Sequence, residues 1–140
     1  MQTLSILLAE DHSILREGLR SLLSAQPDIE ITGEAEDGQK AIQQANALQP
    51  DLVLMDIMMP EMDGYEVCRR LKQLPETKDI PVMFITALGE AEDEAKGFEF
   101  GAVDYIIKPF SPPVIKARIH SILKLKEKTE QLSELSDKLS

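Results

Sequence analysis

Five times along this chain a short apolar run gives way to a segment whose apolar residues recur at helical spacing. That alternation is the strongest constraint on the fold. The runs are "LSILLA" (Leu4–Ala9), "IEITGEA" (Ile29–Ala35), "DLVLMD" (51–56), "IPVMFIT" (80–86) and "VDYII" (103–107). Between them stand Ile14, Leu15, Leu19, Leu22 and Leu23, then Ala41, Ile42, Ala45 and Leu48, then Val67, Leu71 and Leu74, then an acidic helical stretch over 90–100. A last helix opens at Ser111-Pro112. Pro27-Asp28, Asp37-Gly38, Gln49-Pro50, Asp63-Gly64 and Gly101 punctuate the pattern where turns and caps are needed. Strands separated by helices cannot pair as hairpins, so they pair in parallel through crossovers, with helices covering both faces. Strands buried on both faces read as unbroken apolar runs, and three of the five do. The prediction is an α/β domain with a five-stranded parallel sheet.

One residue sits oddly in that scheme. "LVLMDIMMP" carries Asp56 inside an otherwise apolar stretch, and a buried carboxylate without a partner is costly. In an open parallel sheet the carboxyl ends of the strands are where sites form. Asp56 fits as the last residue of the third strand. The first strand is followed by Glu10 and Asp11, the fourth ends at Thr86 and the fifth at Lys108. Three carboxylates, a hydroxyl and an ammonium therefore converge on one edge. Clustered carboxylates repel, so a hard divalent cation held by oxygens, Mg²⁺ with Mn²⁺ as a substitute, suits them. A carboxylate in that setting can act as a nucleophile and accept a phosphoryl group. Thr86, Lys108 and the metal would then offset charge on its oxygens.

The net charge of −10 argues against direct binding to nucleic acid or to anionic membranes. Lysines and acidic residues balance from Lys124 onward, so the excess belongs to the part before it. Cys68 is the only cysteine, which excludes an intrachain disulfide, and it reads as an inert helix residue. No signal peptide opens the chain and no apolar run reaches membrane-span length, so a cytoplasmic location is expected.

The motifs "LLAEDH", "DLVLMDIMMPEMDG", "PVMFITA" and "VDYIIKPF" together resemble the receiver (CheY-like) domain of two-component response regulators, over about Leu4 to Leu123. The resemblance implies a doubly wound (βα)5 flavodoxin-like fold with strand order 2-1-3-4-5. It implies Asp56 as phosphoacceptor, with Glu10, Asp11, Asp56 and the backbone carbonyl of Met58 around the metal. Thr86, the Ala87 backbone and Lys108 would contact the phosphoryl group, with Thr86 and Tyr105 as the switch pair. Pro109 would follow a cis peptide bond, and Gly64 would be the turn glycine after the acceptor loop. Many relatives have Asp where Glu10 stands. The extra methylene here implies a metal contact through water, with Asp11 and Asp56 as direct ligands. The places that tune loss of phosphate fall on Met58 and Leu88, both apolar, which implies slow self-dephosphorylation. The implied partner is a sensor histidine kinase or phosphotransfer protein.

Other residues read more plainly. His12 is expected to help start the first helix, His120 to lie at the surface or in packing, and Met55, Met58, Met59 and Met62 to be adaptable packing residues. Two alternatives stay open. A phosphohydrolase of the haloacid dehalogenase type would want a second Asp where Met58 stands. A pseudo-receiver used only for binding would usually lack the acceptor, the metal pair or the lysine.

The expected domain spans 1–123, with 124–140 as a helical extension. Leu125, Leu132, Leu135 and Leu139 trace a short heptad pattern there, the mark of a signalling helix or a parallel homodimer seam. The output domain that such a helix would lead into is expected to be absent from this chain. Residues 7–42 resemble NarL-type receivers that carry a DNA-binding domain, whereas 56–88 and the tail resemble receivers joined to histidine kinases or diguanylate cyclases. A recombined or engineered chain would account for that mosaic, with its weak point where the first and last helices pack.

Overall fold

The computed structural model describes residues 3–87, 99–108 and 111–139, without the side chains of Ala87, Lys108, Ser133 and 136–139. The strands are β1 (Leu4–Ala9), β2 (Ile29–Ala35), β3 (Leu52–Asp56), β4 (Val82–Ala87) and β5 (Asp104–Lys108). The helices are α1 (Ser13–Ser24), α2 (Gly38–Leu48), α3 (Gly64–Gln73) and α4 (Pro112–Leu139). All strand pairs are parallel, and the order is β2-β1-β3-β4-β5, as the resemblance implied. The acidic helix expected over 90–100 lies almost wholly outside the described residues. β4 begins at Val82, after Pro81, because proline cannot donate to the ladder.

Successive side chains of a strand point to opposite faces, and the two cores follow from this. Leu7, Ala9, Val53, Met55 and Phe84 pack under Ala41 and Ala45 of α2 and Val67, Cys68 and Leu71 of α3. Leu4, Ile6, Leu8, Leu52, Leu54, Met83 and Ile85 face Leu19 and Leu23 of α1 and Ile115, Ile119, Ile122 and Leu123 of α4. The first and last helices thus share one buried cluster. Ile14 breaks the expected apolar stripe of α1 and stands exposed. The β1–β2 register shifts between Ile6 and Leu7, and opposite the shift the Thr32 hydroxyl donates to the Ile6 carbonyl.

Local chemistry sets the helix ends. The Asp37 carboxylate accepts from the Lys40 N–H and Asp63 from the Glu66 N–H, both at 2.9 Å, satisfying first-turn donors of α2 and α3. Gln49 closes α2 in the left-handed region at φ 49°, where Pro50 forbids further helix.

α4 continues well past the body. Before it leaves, Lys126 Nζ donates to the Asp51 carboxylate at 2.9 Å and to the Thr3 carbonyl at 3.0 Å. The same Asp51 oxygen accepts from the Ser5 N–H and hydroxyl. Burial pushes the Asp51 carboxyl up, but the bonds from Ser5 and Lys126 outweigh it and hold it below the usual carboxylate range. Leu125, just before the tether, and Leu132 and Leu135 beyond it are exposed. Among the described residues, no helix is long and apolar enough to cross a membrane.

Candidate functional site

Register brings the expected residues to one edge. Ala9 lies beside Met55, so Glu10 and Asp56, one residue further on, are neighbours. Asp56 lies beside Ile85, Thr86 follows Ile85, and Ala87 lies beside Lys108. Glu10, Asp56 and Thr86 are buried, and Asp11 is half-buried. One ligand atom each from Glu10, Asp11, His12 and Asp56 falls within 4.8 Å of the others. The side chain of Lys108, and the whole of Leu88 and Pro109, lie outside the described residues.

The electrostatics of this cluster are those of a site short of positive charge. Burial first, and the Asp56 carboxylate second, push the Glu10 carboxyl up to about 7. The Glu10 and Asp56 carboxyls lie side by side, and when both are ionised neither can donate to the other. Glu10 Oε2 and Asp11 Oδ1 are accordingly enclosed with no hydrogen-bond partner. His12 Nδ1 comes within 3.2 Å of that Asp11 oxygen as an ion pair without hydrogen-bond alignment. Enclosed oxygens without hydrogen-bond donors at the end of β1, beside the Asp56 carboxylate at the end of the adjacent β3, are the donor set a hard divalent cation takes.

The loop after Asp56 is held from two sides. The Met58 N–H donates to Asp56 Oδ1 at 3.2 Å, and the Gly64 N–H donates to the Ile57 carbonyl at 2.8 Å. A Cβ on Gly64 would sit 2.7 Å from the Asp56 carbonyl oxygen and 2.9 Å from Ile57 Cα. Glycine is therefore required here for close approach. Met55 and Met59 are buried and Met62 is half-buried, as packing residues should be. Met58 departs from that expectation: its side chain stands 76% exposed, because only the strand before it is covered on both faces.

His12 holds the N-cap position of α1 but makes no side-chain cap bond. Its ring nitrogen Nδ1 lies 3.0 Å from Glu10 Oε1 instead. A role confined to starting the helix is thus too narrow, and nothing in residue spacing foretold where the ring would turn. His120 pairs with Asp28 at 3.1 Å, at the opposite end of the sheet.

Two further groups support the edge and carried no sequence signal. Arg16 donates to the Glu10 carbonyl at 2.6 Å. Arg118 of α4 donates to Asp104 Oδ1 and to the Tyr105 carbonyl, both at 2.7 Å, and its guanidinium lies 5.2 Å from the Tyr105 ring centroid. Tyr105 itself is partly buried against the core that contains Phe84.

The sequence pattern of the response regulator receiver domain family matches residues 6–120. Among curated relatives, the DNA-binding dual master transcriptional regulator RpaA of a Synechocystis strain is 41% identical over 107 residues, 76% of this chain and 44% of that protein. Among solved structures, a two-component response regulator of the LuxR family from an Aurantimonas strain superposes with a TM-score of 0.82 at 31% identity, covering 88% of this chain and 86% of that one. The receiver domain of a signal transduction histidine kinase from Syntrophus aciditrophicus superposes at 0.76 with 33% identity, covering 87% and 91%. The chain spans about half the length of the first curated relatives it matches. With its sheet order, its strand-end carboxylates and these matches in agreement, the chain belongs to the response regulator receiver domain family.

Proposed function

We propose that this domain accepts a phosphoryl group on Asp56 from a sensor histidine kinase or phosphotransfer protein and signals through the face of β5 and α4. The observation that supports this reading is the buried Asp56 carboxylate beside Glu10 and Asp11 oxygens that accept no hydrogen bond. Asp11, Asp56 and the Met58 carbonyl would hold Mg²⁺ directly, with Glu10 reaching it through a water. The ion supplies positive charge to carboxylates and phosphoryl oxygens alike.

The chain's own residues do the rest. Asp56 attacks phosphorus, one carboxylate O–P bond forms, and the N–P bond to the donor imidazole breaks with its electron pair leaving on nitrogen. The Met58 N–H holds the carboxylate in place through Oδ1. Thr86 would donate its hydroxyl to the transferred group and Lys108 its ammonium, with the Ala87 backbone alongside. As Thr86 turns toward the phosphoryl group, Tyr105 would turn into the space it leaves, a shift between two pre-existing arrangements. Beryllofluoride with Mg²⁺ is the direct test. Amide shifts of β5 and the first turns of α4 should move together, and a spectrum changed only around Asp56 would refute the switch.

Hydrolysis of the acyl phosphate needs an aligned water. Met58 offers that water no strong hydrogen bond, and Leu88 occupies the other place that matters. Slow loss of phosphate follows, and Met58→Asn should shorten the lifetime several-fold, on the order of the gain from orienting one reactant. Equal decay rates for the two proteins would show that the exposed methionine does not govern the water.

The receiver proper would end near 123, with 124–140 passing the signal onward or joining two copies in parallel. Leu125, Leu132 and Leu135 present apolar surface suited to a weak seam. Removing residues 131–140 keeps the Lys126 tether and should lower the dimer fraction in sedimentation across a concentration series. Superimposable profiles would refute the seam. The cytoplasm is the proposed location, where such a kinase would act.

A further inference from the structure

We infer that His12 makes the acidic site a mixed oxygen–nitrogen site, so that imidazole-seeking divalent ions such as Ni²⁺, Co²⁺ and Zn²⁺ bind there through a His12 nitrogen in addition to the carboxylates. The inference rests on the reading of Glu10, Asp11 and Asp56 as a metal site and adds a ligand to it.

Three observations meet at this ring. His12 Nδ1 lies 3.0 Å from Glu10 Oε1 and 3.2 Å from Asp11 Oδ1. With Asp56 these residues bring four potential ligand atoms within 4.8 Å of one another. First-row metals bind nitrogen and oxygen at about 2.0–2.2 Å, so ligands across one ion stand roughly 4 Å apart. The set is thus near the span an ion requires. Second, the Glu10 side chain is fully buried, and its Oε2 has no hydrogen-bond partner. A donorless carboxylate oxygen enclosed in the same cluster calls for a cation. Third, the backbone fixes the ring's station. The His12 N–H donates to Glu10 Oε1, and Arg16 holds the Glu10 carbonyl, so the turn that carries the ring is tied to the residue the ring faces. At the N-cap of α1 an aspartate or serine would aim its oxygen at the helix, and the imidazole makes no such bond.

The ligand chemistry then separates the ions. Mg²⁺ prefers oxygen and keeps its waters. Imidazole suits nickel, cobalt and zinc, and affinity rises along the first-row series from Mn²⁺ toward Cu²⁺. His12 should therefore matter greatly for those ions and little for Mg²⁺. The His12 side chain is 68% exposed, so a hydrated ion reaches it without opening the core.

Calorimetric titration of the full chain with Ni²⁺ and with Mg²⁺, at about pH 8 where an ordinary imidazole is neutral, reads this difference. His12→Ala should weaken Ni²⁺ binding by about tenfold or more, since even losing a group that only supports a metal ligand costs about that much, and change Mg²⁺ binding less than about twofold. Long-range proton–nitrogen spectra with Zn²⁺ add a structural readout: His12 Nδ1 should take a metal-bound shift while His120, paired with Asp28, stays as it was. Nickel affinity that is unchanged or increased in His12→Ala would overturn the assignment, for the ring would then be only an ion-pair partner of the carboxylates. If wild type binds neither ion, the metal site itself is wrong, and Asp56→Asn would give the same flat titration.

Discussion

Asp56→Asn is expected to reduce phosphorylation by acetyl phosphate to background, a loss of at least about a hundredfold, the scale on which removing a nucleophile acts. Wild type should be labelled only with Mg²⁺ or Mn²⁺ present. The substitution is close to isosteric, and the amide oxygen can still accept from the Met58 N–H that Asp56 Oδ1 now engages. The fold should therefore survive. It should even tolerate the change well, because one buried carboxylate charge next to Glu10 disappears, and that charge is part of what raises the Glu10 carboxyl. Intact circular dichroism with no acid-stable, hydroxylamine-sensitive label is the expected pair of results. A label that persists undiminished on the folded variant would move the acceptor elsewhere and defeat the proposed function.

The second large effect lies eight residues further on and is structural. Gly64→Ala would place a methyl group 2.7 Å from the Asp56 carbonyl and 2.9 Å from Ile57 Cα. Both contacts are backbone, so no rotamer change relieves them. Overpacking of this kind costs about 1–3 kcal/mol, and here the strain falls on the acceptor residue itself. Chemical denaturation should show the lost stability, and phosphorylation should slow along with it. Gly18→Ala is the matching control. Gly18 sits in α1 with nothing within 4 Å of its would-be Cβ. Removing a helix-interior glycine there should gain about 0.5–1 kcal/mol. A Gly64→Ala protein as stable as wild type would mean that the loop after Asp56 can move away from α3.

Much of this architecture was legible before any coordinates, for physical reasons that differ by element. β1 and β3 announce themselves because both faces are covered and their sequence is apolar throughout. The acidic site is legible because a carboxylate in an apolar run has few places to go. Strand order was legible only through family resemblance, since parallel pairing leaves no local mark on a sequence. Ile14 misled because helical spacing does not say where a helix first meets its sheet. Met58 misled because its methionine neighbours are buried and it alone turns outward. The His12 ring, the Arg118 fork and the Lys126 tether depend on side-chain directions fixed by tertiary packing, which residue order does not encode.

That tether has a consequence for how the protein is made. Thr3 and Lys126 stand 123 positions apart, and the bond between them joins the threshold of the first strand to the last helix. On a ribosome the early strands emerge long before the residue that pins them. β1, β2 and β3 can assemble while α4 is still being translated, but the face of Leu4, Ile6 and Leu8 has only Leu19 and Leu23 of α1 over it until Ile115 to Leu123 arrive. The tether forms at the close of that process. A gene fragment cut at the expected boundary of 123 would encode the whole apolar face yet omit the polar fastener just beyond it. Expression designs should therefore extend at least one helical turn past Lys126, and nascent chains stalled before Ile115 should present a sticky, half-covered sheet to the chaperones around them.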